Sequence, residues 1–194
     1  MMSDHRTATI EKGSLVLVTG ANGFVASHIV KQLLERGLKV RGSVRDINRT
    51  SWLVKGALKE YASKGDFELV TVEDFTAEGV YNDAIKGVSA IILVASIVTF
   101  ASDPATVIPI TVAAATRILE AALTESSVKA FIYTSSIVAA TTPQPGNSTH
   151  VDRNTRNDKI TELAWARPPW PESHGSIVYG ASKVAAEKDR VGIL

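Results

Sequence analysis

Apolar runs and amphipathic stretches alternate along this chain, and the alternation predicts a layered α/β architecture. Residues 15–18 form an unbroken apolar run of the kind buried on both faces of a sheet. Val25, Ile29 and Leu33 then recur at four-residue spacing beside Val30 and Leu34, the stripe of an amphipathic helix, and Gly37 is a fitting stop. A second strand is predicted at 38–44, helix-compatible sequence at 51–63 and a third strand at 67–72. A short helix at 80–86, closed by Gly87, precedes a very apolar strand at 88–95. After Asp103-Pro104 comes a long alanine-rich helix ending near Glu125, and then a fifth strand at 128–134. Strands separated by helical segments of this length imply a Rossmann-type, doubly wound parallel sheet with helices on both faces. Ligands of such sheets gather at the strands' carboxyl ends.

Composition narrows the possibilities. A chain of 194 residues that is 45% hydrophobic can bury one good core, so one domain, or one plus the start of another, is expected. Residues 1–13, with Asp4, His5, Arg6, Glu11 and Lys12, read as a polar N-terminal segment and not as a signal-peptide core; a single dinucleotide-binding domain is expected over 14–194. A net charge of +1 without a basic cluster gives no footing for nucleic acid. The longest apolar stretch, 90–98, is too short to span a membrane. With no cysteine, disulfides, thiolate catalysis and cysteine-based zinc sites are excluded, and a reducing compartment, the cytoplasm, is expected. In that setting the glycosylation sequons at Asn48 and Asn147 read as chance.

The first strand runs into V-T-G-A-N-G-F-V-A at 18–26, two glycines three apart ahead of a helix. Gly20 lets the chain turn where a side chain would clash, Asn22 can cap the helix, and Gly23 lets the backbone approach a phosphate. The helix's first free N–H groups and positive dipole end would then face a dinucleotide pyrophosphate. Ala26 is the small residue that allows close helix–strand packing. An ordinary strand–turn–helix connection is the plain alternative, made less attractive by the complete βαβ unit around the turn.

The kind of dinucleotide is read at the end of the second strand, where an acidic side chain would hold the ribose hydroxyls of NAD. Here the chain reads Val40-Arg41-Gly42-Ser43-Val44-Arg45-Asp46. Val44 takes the strand-end position, and the planar fork of Arg45 matches the oxygens of a 2′-phosphate. NADP(H) is expected, with NAD(H) the alternative because Asp46 follows at once. A solvated loop charge is the plain reading of Arg45.

Thr134-Ser135-Ser136 closes the fifth strand, and Tyr179-Gly180-Ala181-Ser182-Lys183 lies near the end of the chain. A tyrosine and a lysine four apart share one helical face, where an ammonium stabilises a phenolate. Tyr179 could exchange a proton with a carbonyl or alcohol oxygen while a hydroxyl such as Ser136 holds that oxygen. Tyr-x-x-x-Lys alone is a common chance pattern. It gains weight from the glycine turn and the strand-end serines that precede it.

Taken together, these segments resemble the extended short-chain dehydrogenase/reductase superfamily, also called the NAD-dependent epimerase/dehydratase family. The closer likeness is to its dihydroflavonol reductase and fungal aldehyde/carbonyl reductase branch. T-G-A-N-G-F-V-A-S-H at 19–28, V-R-G-S-V-R-D at 40–46, D-A-I-K-G-V at 83–88, K-A-F-I-Y-T-S-S at 129–136 and V-Y-G-A-S-K at 178–183 carry it. The resemblance implies an NADP-dependent oxidoreductase that reduces an aldehyde or ketone, a small-molecule carbonyl. Gly20, Gly23 and Ala26 would form the phosphate turn, with Asn22, Phe24 and Val25 among the cofactor contacts. Arg45 would meet the 2′-phosphate, Asp74 would lie by the adenine, and Ala95 and Ser96 would line the cofactor. Ser136, Tyr179 and Lys183 match the catalytic triad. In that triad Tyr179 protonates the oxygen, Ser136 orients it (Ser135 is the lesser alternative), and Lys183 tunes Tyr179 and holds the nicotinamide ribose. Paired helices make dimers in many relatives, so the resemblance also suggests a homodimer, with the helix 105–125 as candidate surface.

Some features depart from the family pattern. Leu93 stands where relatives often carry a histidine, a difference expected to matter for packing alone. The proline-rich, polar segment 141–174, with Trp165 and Trp170, is expected to form a substrate-side wall or else a surface excursion. His150 and His174 lack a metal-ligand pattern and are expected to be solvent-exposed; His5 and His28 carry no signal, and no metal is expected. Relatives continue beyond the Tyr–Lys helix with another strand and a domain-sized stretch, whereas this chain ends at Leu194. The resemblance therefore implies C-terminal truncation. It leaves two alternatives to a working reductase: a dinucleotide-binding fragment without turnover, and an NAD-dependent nucleotide-sugar epimerase or dehydratase.

Overall fold

The computed structural model describes residues 9–142, 145–146 and 148–191. The expectations for Asp4, His5, Arg6 and Asn147, and for residues 192–194, lie outside the described residues. Five strands make one parallel sheet: β1 (Leu15–Thr19), β2 (Lys39–Val44), β3 (Phe67–Thr71), β4 (Ala90–Leu93) and β5 (Ala130–Tyr133). Their order is β3-β2-β1-β4-β5, with Val16 of β1 opposite both Val40 and Ala90. Strand order reverses at β1, the switch point at which α/β sheets of this kind take their ligands. The helices are α1 (Phe24–Glu35), α2 (Ile47–Thr50), α3 (Lys59–Ser63), α4 (Pro104–Thr124), α5 (Asp158–Ala164) and α6 (His174–Val191).

The chain forms two compact units. One holds the described residues up to Ala95 together with Glu120–Tyr133; the other holds Ser96–Leu119 and the described residues from Thr134 onward. The whole sheet belongs to the first unit. Its core gathers Val16 and Val18 of β1, Val40 and Val44 of β2, Phe67 of β3 and Ile92 of β4 around α1. The face that α1 buries is Ala26, Val30 and Leu34, whereas Val25 is exposed. The helix is thus turned by one position from the stripe expected through Val25, Ile29 and Leu33, which brings Ala26 into the core. Gly37 ends it as expected, at φ +79° with its N–H on the Leu34 carbonyl.

Two predicted helices are corrected. The stretch 51–63 is broken by a π turn at Leu53–Ala57, in which Leu58 N–H reaches back to the Leu53 carbonyl. Gly56, a poor helix residue, sits inside that turn. Residues 80–86 form successive turns and no helix. The N–H groups of Asn82, Lys86 and Val88 reach back three residues, to the carbonyls of Gly79, Asp83 and Ile85. Arg41 ties down the end of the segment, its guanidinium donating to the carbonyls of Ala84 and Lys86 at 2.8 and 2.9 Å while also bonding Glu68. The strand predicted at 88–95 contracts at its end because Val94 and Ala95 donate to the hydroxyl of Thr19 and not to a neighbouring strand. Leu93 is buried, as its packing role requires.

In the second unit α5 and α6 pack together around Val107, Ile108, Ala139, Ile160, Ala164, Val178, Ala181 and Val184. The segment 141–174 is therefore no bare excursion, since it contains α5. Asn157 ties it down, giving its side-chain amide to the Val138 carbonyl and the Thr142 hydroxyl, and its backbone N–H to the Ala139 carbonyl. His174, expected in solvent, is buried. Its Nε2 lies 3.0 Å from the Ala164 carbonyl and its ring stacks on Trp170 with centroids 5.4 Å apart. As the first residue of α6 it is enclosed by the end of α5. His28 and His150 are exposed. Asp103 starts α4 by accepting the Ala105 N–H. At mean hydropathy 1.5, α4 is long and apolar enough to cross a bilayer by length and composition alone, unlike 90–98. Its Val107, Ile108, Ala115, Ile118, Leu119 and Ala121 are buried in the fold.

Candidate active site

In the first unit β1 ends at Thr19, and Gly20 turns the chain with φ +65°. A Cβ on Gly20 would meet the Cβ of Ala95 at 3.2 Å in a backbone conformation that L side chains avoid. Gly23 closes the turn by donating its N–H to the Gly20 carbonyl at 2.8 Å. This places the N-cap at Gly23, one residue beyond the Asn22 expected there. Asn22 is exposed and does not cap α1. Among the described residues no side chain caps this helix and no acidic residue stands in its first turn. An uncapped, positively polarised helix end behind a glycine turn suits a pyrophosphate, so the residues fit a dinucleotide. Phe24 and Val25 follow at once and are both exposed, at the head of an apolar groove along α1.

Thr19 was not singled out from the sequence. Fully buried, its Oγ1 accepts the N–H groups of both Val94 and Ala95 at 2.9 Å each, clamping the end of β4 to the end of β1 and setting Ala95 against Gly20. The available signal was a lone hydroxyl closing an otherwise apolar buried strand, where it must find a partner.

Arg45, just after β2, is exposed. Asp46 caps α2, its Oδ1 accepting from the N–H groups of Asn48 and Arg49. The carboxylate that would hold the ribose hydroxyls of NAD is thereby engaged. Arg49 is a second exposed cation, four residues beyond Arg45. Asp74 is exposed after β3, and the hydroxyl and N–H of Thr76, at 2.6 and 2.9 Å, hold its carboxyl below the ordinary aspartate value.

The second unit carries Ser96 and the three proposed catalytic residues. Tyr179 and Lys183 stand one turn apart on α6. Lys183 is only 2% exposed. Its Nζ donates to the Thr134 carbonyl at 3.3 Å and lies 5.8 Å from the centre of the Tyr179 ring. Buried lysines are costly without partners, and this one has a carbonyl and an aromatic face. Two residues beyond Thr134, Ser136 stands at the start of the 3-10 turn Ile137–Ala139 with no capping bond from its hydroxyl. The buried Oγ atoms of Ser96 and Ser135 find no hydrogen-bond partner among the described residues. Such atoms are costly to leave unmade and are ready to meet a polar ligand. The first unit thus brings Gly20, Gly23 and Ala95 together, and the second brings together Tyr179, Lys183 and the chain leading to Ser136. No group of three or more metal-ligand side chains occurs among the described residues.

Residues 17–168 match the profile of the 3-beta hydroxysteroid dehydrogenase/isomerase family. The chain belongs to that family. Among its relatives, the NAD-dependent epimerase/dehydratase TerH of Aspergillus terreus is 40% identical over 183 residues, covering 94% of this chain and 54% of TerH. Aldehyde reductase 2 of Sporidiobolus salmonicolor is also 40% identical, over 187 residues, with 96% and 54% covered. Vestitone reductase from alfalfa superposes with a TM-score of 0.69 at 29% identity, over 92% of this chain and 51% of the reductase. The resemblance to fungal aldehyde/carbonyl reductases is borne out by these relatives, and the family chain spans about half their length.

Proposed function

We propose that this family member is an NADP(H)-dependent oxidoreductase reducing an aldehyde or ketone to an alcohol. The observation that carries the reading is Lys183, a buried ammonium fixed between the Thr134 carbonyl and the ring of Tyr179. NADPH, when bound, supplies the hydride that adds to the carbonyl carbon. Tyr179 gives its phenolic proton to the carbonyl oxygen as that bond forms, completing the alcohol. Lys183 stabilises the negative charge left on the phenolic oxygen. Ser136, whose hydroxyl caps nothing, donates to the substrate oxygen and orients it. Gly20, Gly23 and the amino end of α1 hold the pyrophosphate, Phe24, Val25, Ala95 and Ser96 flank the cofactor, and Asp74 lies by the adenine. Arg45 holds the 2′-phosphate. The names of the 40% identical relatives, an aldehyde reductase and an epimerase/dehydratase, support this class of chemistry. A chain without cysteine suits a reducing compartment, and the cytoplasm is the proposed location.

Fluorescence titration with NADPH and NADH, followed by NADPH oxidation with a panel of aldehydes and ketones, tests the reading. Saturable binding that prefers NADPH, with carbonyl-dependent oxidation, is expected. Binding without oxidation would replace it by a dinucleotide-binding fragment without turnover, and tight NAD retention by the epimerase alternative. Arg45→Ala should weaken NADPH relative to NADH by about 1–3 kcal/mol, the range for losing a charge-assisted hydrogen bond. An unchanged preference in the same titration would remove Arg45 from the 2′-phosphate site.

A further inference from the structure

Phe100 is a conspicuous backbone outlier in the second unit. Its φ of +50° is the one positive value at a non-glycine position among the described residues. A bulky residue held there costs energy, and such strain persists where the surroundings impose it. Core packing does not repay it, because the Phe100 side chain is largely exposed. Ile97 and Ala101, on either side, do pack into the core of this unit and pin the segment.

Two contacts show what the strain accomplishes. The Phe100 ring lies against the Tyr179 ring, with centroids 5.5 Å apart and planes inclined by 47°. The Phe100 backbone lies against Gly175. A Cβ built on Gly175 would overlap the Phe100 carbonyl oxygen and stand 2.6 Å from its carbonyl carbon and 3.2 Å from its Cα. Gly175 and Tyr179, four apart in α6, share a helical face. One residue is thus seated at two points along that face, backbone on the glycine and ring on the tyrosine.

We propose that Phe100 is a positioning residue for Tyr179, and that Gly175 provides the clearance that seats it. This rests on Tyr179 as the proton donor. A phenol tethered only by its own rotamers would sample several directions, whereas an edge-inclined aromatic neighbour restricts it.

The test uses the full chain with ring-13C-labelled tyrosine, whose four tyrosines give separable aromatic signals, with Tyr179→Phe assigning one of them. Phe100→Leu should move the Tyr179 signals and leave the other three tyrosines in place, and Phe100→Tyr should restore them. Gly175→Ala should move them in the same direction although Phe100 is intact, and the double variant Phe100→Leu/Gly175→Ala should go no further than Phe100→Leu. Tyr179 signals that stay in place in Phe100→Leu would overturn the proposal. So would Tyr179 signals unmoved in a Gly175→Ala protein whose other tyrosines are unchanged. If Gly175→Ala does not fold, the Phe100→Leu and Phe100→Tyr pair decides. In turnover, Phe100→Leu should lower kcat on the order of 10-fold to 100-fold with NADPH affinity unchanged. Full activity in Tyr179→Phe would remove the proton-donor reading and leave the ring contact to be judged by the spectra alone.

Discussion

Tyr179→Phe is expected to lower carbonyl-dependent NADPH oxidation by on the order of 100-fold to 10,000-fold, the usual worth of a positioned general acid. The change removes one oxygen and keeps the ring. The tilted contact with Phe100 and the approach of the Lys183 ammonium to the ring face are therefore preserved. Lys183 also keeps its bond to the Thr134 carbonyl, so the buried charge is not orphaned and the fold should be undisturbed. The bond that closes the phosphate turn, from the Gly23 N–H to the Gly20 carbonyl, does not involve the phenol, so NADPH titration should give an unchanged affinity. Steady-state oxidation and the titration, run side by side on wild type and variant, separate the two effects. Equal turnover in the variant would sink the mechanism.

Thr19→Val is expected to destabilise the protein by about 2–4 kcal/mol, since two amide N–H groups lose their acceptor at once. Valine nearly matches threonine in shape, so the loss is chemical and not one of volume. The Val94 and Ala95 N–H groups now on Oγ1 pair with no neighbouring strand beyond the end of β4. For a chain of this size the thermal midpoint should fall on the order of 5–15 °C. The loss also releases Ala95, whose Cβ would stand only 3.2 Å from a Cβ on Gly20, so NADPH affinity should fall with stability. Thr19→Ser, which keeps the hydroxyl, should recover most of both. An unchanged midpoint in Thr19→Val by circular dichroism would show that the clamp carries no energy.

Much of the architecture was legible because it is written in short-range patterns. Each of the five strands lies within or against a predicted apolar run, since an apolar segment flanked by turns has few other ways to be buried. The long helix after Asp103 begins where Asp103 caps it and Pro104 tolerates the first turn. The failures have different causes. Residues 80–86 have helical character, yet they close as successive turns in which the N–H groups of Asn82, Lys86 and Val88 reach back three residues. Asn22 looks like a cap, but the turn hydrogen bond between Gly23 and Gly20 moves the cap by one residue. His174 reads as a loop histidine until α5, invisible in a proline-rich polar segment, folds beside it.

Local sequence sufficed for the succession of the five strands along the chain, the glycine turn at the end of β1, the cation after β2 and the Tyr–Lys spacing on one helical face. These depend on neighbours within a turn or two, where residue type and backbone preference suffice. Long-range packing sets Thr19 to clamp Val94 and Ala95, 75 and 76 residues away, and brings Lys183 to the Thr134 carbonyl across 49. It also decided which face of α1 is buried, and that Phe100 sits on Gly175 and Tyr179. Those outcomes belong to packing, because a buried hydrogen-bonding group takes whichever partner the fold brings within about 3 Å, however far off in the chain that partner lies.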